Sequence, residues 1–87
     1  MSSTAYYKPI IPQQATALCM EVRTWIAHHF NQSHCLRSEN PIVLDEPIIP
    51  YLEGLRDACQ NATAEAELEN LINAIYRHRS VEFWIEP

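Results

Sequence analysis

With 87 residues, 47% of them apolar, the chain has room for one domain with a thin hydrophobic core and is too apolar to be disordered. Its formal charge of −5 argues against general nucleic-acid binding, where a basic surface supplies most of the affinity, and it permits a basic partner. The single glycine, Gly54, excludes a Gly-rich phosphate loop and argues against an all-β fold, whose turns call for glycine.

Residues 1–8 read as a polar, flexible leader that stays mobile until Tyr6 and Tyr7 find a surface. The opening stretch MSSTAYYKPIIPQQ has no apolar signal region, and nothing in the chain approaches the ~18 apolar residues of a membrane span. The three cysteines, Cys19, Cys35 and Cys59, are odd in number and widely spaced, as expected of reduced thiols. A cytoplasmic protein without membrane contact is the expectation.

The tetrapeptide PIIP occurs at Pro9–Pro12 and again at Pro47–Pro50. As a repeat it fails, because aligning the copies sets Leu18 against Arg56 and Glu21 against Cys59. As a polyproline ligand it is short. Each copy reads best as the entrance to a helix, where the missing proline N–H costs nothing.

Helix 1 is predicted over 12–30, with Ala15, Leu18, Cys19, Val22, Ile26, His29 and Phe30 as its apolar stripe and Trp25 beside it. Residues 31–46 form a long connection containing the β-prone run Ile42, Val43 and Leu44. Helix 2 is predicted over 47–60 behind Asp45 as N-cap, with Ile48, Leu52, Leu55 and Cys59 facing inward. Its Gly54 reads as a point of close backbone approach. Helix 3 is predicted over 64–79, capped by Asn61 or Thr63. Its stripe is Leu68, Leu71, Ile72, Ile75 and Tyr76, with acids at its start and Arg77, His78 and Arg79 at its end. The tail then changes period, since Val81, Phe83 and Ile85 alternate with Glu82, Trp84 and Glu86, as in a strand.

The fold expectation is therefore mainly α: a small three-helix bundle forming one helical domain over 9–87, with a short extended C-terminal segment. The alternative is α+β, with 42–44 and 81–85 paired as a minimal two-stranded sheet.

The chemistry-bearing clusters are weak. His28, His29, His34 and Cys35 have the atoms zinc wants but no paired ligand spacing, and His28 and His29 are neighbours about 100° apart on a helix. A small metal-binding or thiol-dependent protein using His28, His34 and Cys35 is the alternative reading. The leading expectation is a non-enzymatic acidic interaction module without cofactor, metal or catalytic residues. It would bind and inhibit or regulate a more basic macromolecule, in the style of small bacterial or phage accessory, inhibitor and immunity proteins. Phe83 and Trp84 are its expected apolar anchors, with Trp25 a further aromatic contact. Glu65, Glu69 and Glu82 would steer the encounter. A thin core also makes a homodimer an expectation.

Overall fold

The computed structural model describes residues 4–9, 15–30 and 41–86. The described strands are β1 (Thr4–Pro9), β2 (Thr16–Leu18), β3 (Ile42–Asp45) and β4 (Ser80–Glu86), and the α-helices are α1 (Met20–His29), α2 (Ile49–Ala58) and α3 (Ala62–His78). The strands form one antiparallel sheet in the order β2-β1-β4-β3. The fold is α+β, which overturns the helical-bundle expectation. The pairing of 42–44 with 81–85 is present, with Ile42 opposite Phe83 and Leu44 opposite Val81, but it is only one side of a four-stranded sheet.

The correction begins in the expected leader. TAYYKP has strand periodicity: Ala5 and Tyr7 are buried, while Tyr6 and Lys8 point the other way. Tyrosine and threonine suit a pleated surface. This strand sits in the middle of the sheet, pairing with β4 along its whole length and with β2 on its other side. Thr16, Ala17 and Leu18 are consequently strand, and α1 starts at Met20 rather than at 12. The expected entrance at Pro12 lies outside the described residues.

The other two helices lie close to where the pattern placed them. The second PIIP opens with Pro47 in a 3-10 turn (Glu46–Ile48) and ends with Pro50 in the first turn of α2, where proline is tolerated. Asp45 occupies the cap position of that turn without a side-chain hydrogen bond. Asn61 caps α3, its Oδ1 accepting from the N–H groups of Thr63 at 2.9 Å and Ala64 at 3.2 Å. Leu68, Leu71, Ile72 and Ile75 are buried as expected, whereas Tyr76 is exposed. Gly54 is also corrected, since no atom approaches within 4 Å of where a Cβ would stand.

All three helices cover one face of the sheet. α3 packs over the central strands β1 and β4, α1 over β1, and α2 against α3. The core is the layer between: Ala5, Tyr7, Leu44, Val81, Phe83 and Ile85 from the strands meet Val22, Ile26, Leu52, Leu68, Leu71 and Ile75 from the helices. Polar ties join the helical layer. The Cys19 N–H donates to Glu67 Oε1 at 2.7 Å, Asn61 Nδ2 to Glu21 Oε1 at 2.7 Å, and the Tyr51 hydroxyl to the Trp25 carbonyl at 2.9 Å. Arg56 pairs with Glu69 at 2.8 Å across α2 and α3. A single residue, Arg79, turns α3 into β4, and it does so at φ 73°, a value costly for any residue but glycine.

Candidate interaction surface

The strands alternate, so burying Val81, Phe83 and Ile85 against the helices sends Glu82, Trp84 and Glu86 to the face turned away from α1, α2 and α3. There Trp84 stacks on Tyr6 of β1, with ring centroids 5.9 Å apart and planes 22° apart. Its indole N–H donates to Glu86 Oε1 at 3.1 Å. Two residues along, Glu82 lies 3.7 Å from Lys8 Nζ. Register places Val43 of the edge strand β3 opposite Glu82, and Val43 is 49% exposed. Asp45 follows on the same side of β3, exposed. An aromatic pair and an exposed valine are thus framed by three carboxylates, Glu82, Glu86 and Asp45, and one ammonium, Lys8.

Of the residues expected to make contact, Glu82 and Trp84 share this surface, although Trp84 is only 7% exposed. Phe83 is fully buried among the core side chains. Removing such a side chain typically costs about 3–5 kcal/mol, comparable to the whole stability of a domain this small, so Phe83 holds the fold and is not free to hold a partner. Glu65 and Glu69 are exposed on the opposite, helical layer, and Glu69 is already paired with Arg56. Trp25 is half-buried against the core beside Tyr51. The structure therefore does not gather all six residues into one site. Tyr6, Lys8 and Val43 belong to the surface and were missed. Their signal was the period-two pattern of TAYYKP and of IVLD, each too short to stand out alone.

The histidine–cysteine alternative is split. His28 and His29 are exposed on α1, where the His29 ring lies 4.2 Å from that of Tyr51 and 5.0 Å from that of Phe30. His34 and Cys35 lie outside the described residues. Cys19 and Cys59 are free thiols. Burial pushes the Cys19 thiol up from its ordinary pKa, and the neighbouring Glu67 adds to the rise, which lowers the thiolate fraction a nucleophile needs. Among the described residues no three His, Cys, Asp or Glu side chains are grouped to hold a metal ion. No described helix is long and apolar enough to cross a membrane.

The chain matches no protein-family model, no curated protein and no solved structure.

Proposed function

We propose that the protein is a non-enzymatic interaction module that binds a more basic protein through the sheet face turned away from α1, α2 and α3 and so inhibits or regulates it. The observation that carries this reading is the part-exposed Tyr6 ring, backed by the buried Trp84, on the same sheet face as exposed Val43, with Glu82, Glu86 and Asp45 against Lys8 around them. Such a surface suits arginine, whose guanidinium stacks on aromatic rings and forks onto carboxylates. Among the described strands β3 lies at the edge of the sheet, and its outer backbone groups are ones that an extended segment of the partner can pair with. Glu65 and Glu69, on the far layer, act by steering. Two free thiols, Cys19 and Cys59, fit a cytoplasmic setting.

The test uses the protein captured by the wild-type chain from its host, identified, purified and titrated back by surface plasmon resonance. Val43→Lys combined with Glu82→Lys should speed dissociation at least about tenfold, the scale of a lost charged contact. Glu65→Lys should mainly slow association, and less so at high salt. Circular dichroism checks that each variant is folded. Unchanged dissociation from the folded double variant overturns the assignment of this face.

A further inference from the structure

On the far side of the molecule from that face, α3 carries a groove of about 250 Å³ lined by Asn70, Asn73, Ala74, Arg77 and His78. These residues recur at helical spacing, so they form one stripe directed away from the buried Leu68–Leu71–Ile75 stripe. Ala74 is the floor, half-buried against the core, and the four larger polar side chains stand exposed around it. Its described lining is rich in donors: a guanidinium, an imidazole and two carboxamides.

The charge pattern sets this groove apart. Lys8, Arg56 and Arg79 are each ion-paired, to Glu82, to Asp57 and Glu69, and to Glu46. Arg77 and His78 have no ion-pair or hydrogen-bond partner among the described residues. In a chain with eleven acids and six bases, an arginine and a histidine that stand together with no such partner among the described residues mark this face. The negative end of the α3 dipole accounts for basic residues in the last turn. It does not account for Asn70 and Asn73, two poor helix formers that stand one and two turns upstream and cost helix stability there.

We propose that this groove binds the phosphate group of a small phosphate monoester. Arg77 would fork onto two phosphate oxygens, His78 would donate in its protonated form, and the carboxamide of Asn73 or Asn70 would reach the third oxygen or the ester substituent. The volume is at the small end of ligand sites, which favours a compact molecule over an extended chain.

The test is a titration of the full ¹⁵N-labelled chain with inorganic phosphate and, separately, glycerol 3-phosphate, at constant ionic strength held with sodium chloride. Saturable shifts confined to residues 70–78 are expected, with a dissociation constant on the order of 1 mM and tighter binding of the monoester. Arg77→Gln should weaken binding at least about tenfold, and Arg56→Gln should leave it unchanged. If Arg77→Gln perturbs the fold, Asn73→Ala supplies the same comparison. Shifts that scatter over the chain, fail to saturate or survive Arg77→Gln overturn the proposal.

Discussion

Gly54 shows how far a single residue can be read from its neighbours in sequence. A mid-helix glycine pointed to a close crossing, yet the position is exposed and no atom lies within 4 Å of the missing Cβ. The glycine therefore costs α2 its helix propensity with no packing return. Gly54→Ala should stabilise the protein by about 1 kcal/mol, read as a raised urea midpoint with unchanged slope. A loss of stability would mean that some partner approaches this turn after all. Phe83 and Trp84 carry the opposite lesson. Both are large, apolar and adjacent, and the pleat sends one into the core between sheet and helices and the other to the opposite face of the sheet. Both were expected to anchor a partner, and the side of the sheet each takes separates their roles.

At the scale of elements, α3 was the most legible, because a helix is built from contacts three and four residues apart and its cap lies next to it in sequence. Asn61 does more than the pattern required. Its Oδ1 caps α3 while its Nδ2 holds Glu21 at the start of α1. Asn61→Ala removes both contacts and should cost about 1–2 kcal/mol in chemical denaturation. Asn61→Asp separates the two, since a carboxylate still caps the helix but faces Glu21 across the former hydrogen bond. An aspartate variant as stable as wild type would show that the tie to α1 contributes nothing. The start of α1 was illegible for a related reason. Ala15 and Leu18 continue the helical spacing of Val22 and Ile26, and nothing local says that residues 16–18 pair with β1 instead.

Over the whole molecule, the central position of β1 couples the start of the chain to everything else. Tyr7 lies on its buried face, across from Phe83 on β4 and Thr16 on β2. Burial raises its phenol above the ordinary pKa, the hydrogen bond with Thr16 opposes the rise, and the charge of Glu67 on α3 reinforces it. Burial raises Tyr51 as well. A group whose folded pKa is raised stabilises the fold fully below its unfolded pKa, and that contribution is lost as pH climbs through the folded value. Above roughly pH 10 the unfolded chain releases the tyrosine proton first, so stability falls. Tyr7→Phe should flatten this alkaline decline of the melting temperature, and parallel curves for the two proteins would refute the coupling. What the sequence alone determined are the local features: the positions of α2 and α3, the cap at Asn61, the buried helical stripe and the alternation of 81–85. Each is set by neighbours a few residues apart. The tertiary structure alone decided that the leader is a central strand and that the fold is α+β. Those follow from pairing Ala5 with Ile85 and Ile42 with Phe83, partners from distant parts of the chain whose match no local pattern encodes.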